Sequence, residues 1–222
     1  MRFWRKAIAI TWKDVLSEMR TREIVFSVLV FTFLVIVTFN FAFGNNPGTM
    51  ELVAAGMLWV TFAFAGILSL NRAFVAEKEE GCLEGLMVCP VSREVIYVGK
   101  MLGSLLFMLV IEAIALPIFA FLFNLSLSLQ LIIITVLTTI GFVAVGTIFS
   151  ALAVNTRARE MILPILFLPI VAPIIIGAVE ASKLALSGES WGAMATWLQI
   201  IGAFDAIFLG VSFLVFAFVI EE

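Results

Sequence analysis

The lysines and arginines of this chain are confined almost entirely to three segments, and long uncharged apolar runs separate those segments. Twelve of the 13 basic residues lie within residues 2–22, 72–100 and 157–159. Two other connections, residues 44–51 and 124–128, contain no basic residue. In multi-pass membrane proteins, Lys and Arg accumulate in the cytoplasmic connections. The pattern therefore predicts a membrane protein with both termini and two connections in the cytoplasm.

The apolar runs have the length and composition of membrane-spanning helices. The chain is 63% hydrophobic, and its mean hydropathy is +1.19, well above that of soluble domains. Spans of roughly 20 residues cross the hydrocarbon core of a bilayer, and the absence of strict alternation argues against barrel strands. We predict an all-α polytopic protein, a single domain over residues 1–222, with six spans: residues 24–43, 52–74, 101–123, 129–154, 161–179 and 200–220.

An amphipathic helix is predicted before the first span, over residues 1–23. Its apolar residues recur at helical spacing, with basic residues between them: Trp4, Ile8, Trp12, Val15, Leu16 and Met19. Such a helix lies along the membrane surface, near anionic lipid headgroups. It could be a general anchor or a contact for a partner. The more polar residues 181–197 predict a short surface helix or loop on the opposite side.

The connection between spans two and three has the most distinctive chemistry. Leu83, Leu86 and Met87 stand at i, i+3 and i+4, which predicts a short helix with one apolar face. That face must pack on this protein, on lipid or on another protein, so both a solvated loop and a docking element are open. The other candidate residues of this segment are acidic, helix-weakening or helix-ending: Glu77, Glu80, Gly81, Glu84 and Pro90.

Two further groups of residues are candidates for function. Pro169 and Pro173, four residues apart in span five, predict either a fixed kink or a hinge. Glu112 and Asp205 are carboxylates within spans three and six, and such groups usually face a bundle interior or a water-filled space. Glu112 could handle a solute or proton, or could be a protonated, hydrogen-bonded acid. Asp205, near the outer part of span six, could also handle a solute or proton, or could simply reach the interface.

The chain lacks the residues that several kinds of chemistry require. The chain contains no histidine, which removes the commonest heme and zinc ligand and the usual proton shuttle. It has no phosphate-binding Gly-x-x-x-x-Gly-Lys-[Ser/Thr] motif, so ATP hydrolysis by that route requires a separate chain. We expect no catalytic residue, no metal site, no nucleic-acid partner and no cofactor bound by this chain alone.

The loop pattern resembles the membrane subunits of ABC-type exporters in the ABC-2-like group. The matching residues are Glu77, Gly81, Leu83, Glu84, Leu86, Pro90 and Lys100. In that group the loop holds a coupling helix that fits a cleft on the ATP-hydrolysing subunit. Residues 56–60 and 168–176 narrow the resemblance to the B-type permease subunits of cytochrome c maturation heme exporters. Cys82 departs from that family, in which Ser or Thr is usual.

The resemblance implies a permease in a bacterial inner membrane that works with a partner ATPase binding ATP and Mg²⁺. It implies a heme-handling membrane subunit, a small accessory membrane protein and a membrane-anchored heme chaperone as further partners, and it leaves a homodimer open. Heme would be the transported or handled species, or ATP would be used to release the loaded chaperone. The alternatives are an ABC-2-like exporter of a drug, lipid or polysaccharide, and a non-transporting scaffold for heme-loading proteins.

Overall fold

The computed structural model describes residues 2–21, 23–43, 47–79, 91–154 and 163–219. Throughout these ranges the chain is helical apart from short connections, and no strand occurs in them. The helices are α1 (Arg2–Thr21), α2 (Glu23–Phe43), α3 (Pro47–Glu79), α4 (Arg93–Phe123), α5 (Leu129–Val154), α6 (Leu168–Leu186) and α7 (Trp191–Val219). A π-helical segment (Leu163–Phe167) directly precedes α6. Six of them, α2 to α7, are long and apolar enough to cross a membrane, which confirms the predicted fold class.

The helices of spans two and three extend beyond the predicted spans. α3 continues to Glu79 and α4 begins at Arg93, eight residues before the predicted start of span three. At 1.5 Å per residue, the 33 residues of α3 and the 31 of α4 correspond to about 50 and 46 Å. Both exceed a hydrocarbon core of about 30 Å. Since charged residues lie at the ends that adjoin the basic connection, we expect these ends to project beyond the core.

The predicted surface helix or loop at residues 181–197 is wrong. α6 continues to Leu186 and α7 begins at Trp191, so a connection of only four residues joins two long helices. Gly188 makes this turn possible because its φ of 74° lies in the left-handed region that favours glycine. The helix continues past residue 180 because small residues keep its buried stripe intact: Ala181, Ser182 and Ala185.

α5 is the central helix of the bundle and packs against α3, α4, α6 and α7. Small residues let these helices approach closely, as is usual where packing rather than water drives association. At Gly146, for example, the side chain of Leu70 on α3 occupies the space that a Cβ would need. The Ser150 hydroxyl also donates a hydrogen bond of 2.5 Å to the Leu70 carbonyl. α2 and α7 lie at the periphery and turn most of their side chains outward.

Hydrogen bonds between spans supplement this packing. The Trp59 indole N–H on α3 donates to the Ser182 hydroxyl on α6 at 2.9 Å. The Tyr97 hydroxyl on α4 donates to the Ala144 carbonyl on α5 at 3.1 Å. All four residues are buried, and buried polar groups without partners are costly. These bonds therefore help to fix which faces of the helices meet.

Candidate functional site

The loop predicted to dock a partner lies between α3 and α4. Glu80, Gly81, Leu83, Glu84, Leu86 and Pro90 lie outside the described residues. Glu77 belongs to the last turns of α3 and not to a separate loop helix, because no helix-weakening residue occurs on α3 between Leu70 and Glu79. The two helices that hold the loop are thus continuous with the core of the bundle.

α1 lies against the first turns of α4, immediately after this loop. The Thr11 hydroxyl donates to the Gly99 carbonyl at 2.9 Å. The Lys100 ammonium, whose side chain is 3% exposed, lies 3.1 Å from the Asp14 carboxylate. The sequence suggested only that Lys100 opens span three; the structure places it two turns inside α4, in an ion pair with α1.

The apolar residues predicted to face the membrane on α1 do face away from the protein. Trp4, Ile8, Trp12 and Met19 are each more than half exposed, while Ala7 and Ile10 are buried against the bundle. Near its end, α1 also contacts the start of α2, where Glu18 Oε1 accepts the backbone N–H groups of Ile24 and Val25 at 3.1 and 2.9 Å. Those N–H groups have no partner within their own helix.

Glu112 faces the protein interior, between α4 and α5. It is 2% exposed, and its Oε1 lies 2.6 Å from the Thr139 hydroxyl, which also lies 2.8 Å from the Thr135 carbonyl. The Thr139 hydroxyl is the donor in both contacts, so its one proton is shared between the Glu112 carboxyl and the Thr135 carbonyl, and Glu112 Oε2 has no hydrogen-bond partner among the described residues. The structure thus gives Glu112 a hydrogen-bonded, interior position, and both its protonation and a role in handling a solute or proton stay predictions.

Asp205 is buried inside the bundle, although the sequence placed it near the outer end of span six. Because α7 begins at Trp191 and not near residue 200, Asp205 falls in the middle of the helix, where it is 6% exposed. Its carboxylate on α7 and the Ile174 side chain on α6 both lie against Gly141 of α5. Neither carboxylate oxygen has a hydrogen-bond partner among the described residues. The absence of a side chain at Gly141 creates the space that holds this group.

The prolines of span five coincide with a change in helix geometry. Pro164 lies in the π-helical segment, Pro169 at the start of α6 and Pro173 inside α6. Proline has no N–H to donate, so a local change in helical hydrogen bonding is expected around these positions. The adjacent Phe167 is fully buried and stacks edge-on against Phe142 of α5, with ring centroids 4.8 Å apart. Movement at this point remains a prediction.

Glu112 and Asp205 lie at different places in the bundle. Within the described ranges, no three His, Cys, Asp or Glu side chains lie close enough together to hold a metal ion. Glu112 and Asp205 contact α5 through Thr139 and Gly141, which are two positions apart and therefore point in nearly opposite directions from that helix. The two carboxyls consequently act as separate sites.

We expect Thr139→Val to lower the free energy of unfolding by about 1–3 kcal/mol, because it removes the partner of a buried carboxyl. Thr139→Ser, which keeps the hydroxyl, should change it far less. Thermal unfolding of the purified protein in detergent measures both. Thr38→Val is the matched control, since its hydroxyl is exposed and, among the described residues, bonds the Leu34 carbonyl at 2.8 Å. Equal losses at positions 38 and 139 would contradict the assigned contact.

Comparison with known proteins identifies counterparts over most of the chain. A family model described as "CcmB protein" matches residues 5–221. "Heme exporter protein B" of Rhodobacter capsulatus is 29% identical over 162 residues, 72% of this chain and 74% of the relative. The protein of the same name from Pseudomonas aeruginosa is 28% identical over 181 residues, 79% of each chain. That from Haemophilus influenzae is 26% identical over 198 residues, 88% of each.

Proposed function

The chain belongs to the CcmB protein family, and on that premise we propose that it is the permease subunit of an ATP-driven transporter for cytochrome c maturation. The observation that carries the proposal is the family match over residues 5–221, which includes all six spans and the loop between α3 and α4. The relatives that match are named heme exporter protein B. Heme is accordingly the species that the complex exports or transfers to its chaperone.

A partner ATPase docks on the loop at residues 77–90 and binds ATP and Mg²⁺. This chain has no phosphate-binding motif, so ATP is hydrolysed on the partner. The loop joins two helices that run continuously into the bundle, α3 and α4, and both contact the central α5. A displacement of the loop therefore acts on two rigid helices at once, which supports its role in coupling hydrolysis to movement of the spans.

The remaining partners follow from what this chain lacks. Without histidine it cannot supply the commonest axial ligand of heme, so a heme-handling membrane subunit provides that ligand. A small accessory membrane protein, a membrane-anchored heme chaperone and a second copy of this chain complete the proposed complex. The complex lies in the bacterial inner membrane, and the placement of Lys and Arg puts both termini in the cytoplasm.

In a host lacking this gene, we expect c-type cytochromes to lose their covalent heme and to regain it when the gene is restored. Heme staining of cytochromes after denaturing electrophoresis measures the effect. The control is the same strain carrying the gene together with a partner ATPase that cannot hydrolyse ATP, and it should also lack covalent heme. Normal heme with the inactive ATPase would favour a scaffold. Normal heme without the gene would favour an exporter of another substrate.

A further inference from the structure

We propose that α1 and the first turns of α4 move as one body, and that Asp14 and Lys100 are the positioning residues that join them. This inference rests on the proposed docking of an ATPase on the loop before α4. A displacement of that loop would then move α1 along the membrane surface as well as the spans. The proposal is carried by three features of the α1–α4 contact, which includes Ala7, Ile10, Thr11 and Asp14 on α1 and Gly99, Lys100 and Gly103 on α4.

The first feature is the close approach of the two backbones. Gly99 and Gly103 lie four residues apart, on one face of α4. A Cβ at Gly99 would stand 2.7 Å from the Ile10 Cβ and 3.0 Å from the Ala7 carbonyl oxygen. Both atoms belong to or adjoin the α1 backbone, so α1 occupies the groove that Gly99 leaves open. Small residues at this spacing are a common basis for close helix packing in membranes.

The second feature is polar and fixes the register of α1 on this groove. The Thr11 hydroxyl bonds the Gly99 carbonyl, and one turn further along α1 the Asp14 carboxylate pairs with the Lys100 ammonium at 3.1 Å. Lys100 is buried and Asp14 is 22% exposed. A buried ion pair contributes little net stability compared with apolar packing, but it penalises any arrangement that separates the charges. It is therefore suited to holding two helices in one alignment.

The third feature is the location of the α1–α4 contact, which lies between the proposed docking loop and the lipid surface. α4 begins directly after the proposed docking loop, and Lys100 is eight residues into it. On its other side, α1 exposes Trp4, Ile8 and Trp12, the apolar residues suited to the membrane surface. At its end, Glu18 caps the N-terminus of α2. The α1–α4 contact thus links the loop, the first span and the membrane surface.

A charge exchange tests the ion pair. We expect Asp14→Lys to reduce covalent heme on c-type cytochromes by about tenfold or more, because it replaces the anion between Lys13 and buried Lys100 with a further cation. Asp14→Lys with Lys100→Glu should recover most of that loss, since the pair is restored with its signs reversed. In both variants the partner ATPase should still co-purify, because the loop is unchanged. Glu180→Lys is the control, as Glu180 pairs with Lys183 at a half-exposed site within α6.

A disulfide tests whether the two helices move together. The Asp14 Cβ lies 3.5 Å from the position of a Cβ at Gly103, within the range for disulfides. In a Cys82→Ser, Cys89→Ser background and a host with an oxidising cytoplasm, Asp14→Cys alone should lose cytochrome heme. Asp14→Cys with Gly103→Cys should retain it, because the covalent bond replaces the ion pair. Cross-linking is verified by the altered electrophoretic mobility of the chain.

The outcomes separate this inference from the proposed function. A cross-linked protein that binds the ATPase but leaves cytochromes without heme would overturn the inference, because α1 and α4 would then have to move apart. Asp14→Lys with normal cytochrome heme would also overturn it. If Asp14→Lys fails to accumulate in the membrane, the disulfide pair decides. Failure of the proposed function would instead appear as cytochrome heme that does not depend on this gene at all.

Discussion

Replacing Gly141 by leucine should destabilise the bundle by about 1–3 kcal/mol or more, as expected for overpacking a filled interior. A Cβ at this position would overlap the Asp205 carboxylate and stand 2.7 Å from the Ile174 side chain. Three helices meet here, α5, α6 and α7, so the added side chain must push at least one of them away. Thermal unfolding of the purified protein in detergent should show a clearly lowered midpoint.

Gly202→Leu provides the matched control, because a Cβ at Gly202 on α7 would meet no atom within 4 Å. It should leave the midpoint unchanged or slightly raised, since leucine is the better helix former. Adding Asp205→Ala to Gly141→Leu should recover part of the loss, through a coupling of about 0.5–3 kcal/mol between the two positions. If the effects of the two substitutions on the free energy of unfolding were strictly additive, this would contradict the contact between Asp205 and Gly141.

The six spans could be predicted because hydropathy and the placement of charge act over whole segments. The bounds of the helices could not. A bilayer limits the length of an apolar run but not the length of the helix that contains it, so α3 and α4 continue into polar sequence. Nothing in residues 71–79 breaks a helix, and the first weakening residue beyond them is Gly81. The helix propensity of residues 71–79 predicts the end of α3 better than their polarity does.

The contacts of individual residues were the part that sequence could not supply. Asp205 was misplaced toward the interface because the start of its helix was set nine residues too late. The pairing of Lys100 with Asp14 joins residues that are far apart in the chain, and no periodicity reports such a pair. One signal was present and not used: Gly99 and Gly103 have the four-residue spacing that favours close helix packing.

The docking loop is the opposite case, because it was inferred from sequence and lies outside the described residues apart from residues 77–79. Its support is the motif and the family match over residues 5–221. The structure adds the helices on either side of the loop. Since both run without interruption into the bundle, a loop that binds a partner can transmit force without any further moving part.

Glu84→Arg and Leu83→Arg should each abolish covalent heme on c-type cytochromes while the protein still accumulates in the membrane. Each change places an unpaired charge in the predicted docking helix. Burying such a charge at an interface costs about 2–5 kcal/mol, which corresponds to roughly 30-fold weaker binding or more. The partner ATPase should therefore no longer co-purify with either variant, and cytochrome heme should fall with it.

Glu189→Arg is the matched control for these substitutions, because Glu189 lies in the exposed connection between α6 and α7, far along the chain from the loop. It should change neither ATPase binding nor cytochrome heme. Full ATPase binding and normal heme with Glu84→Arg would contradict the docking assignment. Retained ATPase binding with lost heme would carry a different meaning: the loop would then transmit movement without providing the binding energy, and the continuous helices α3 and α4 would be where that movement enters the bundle.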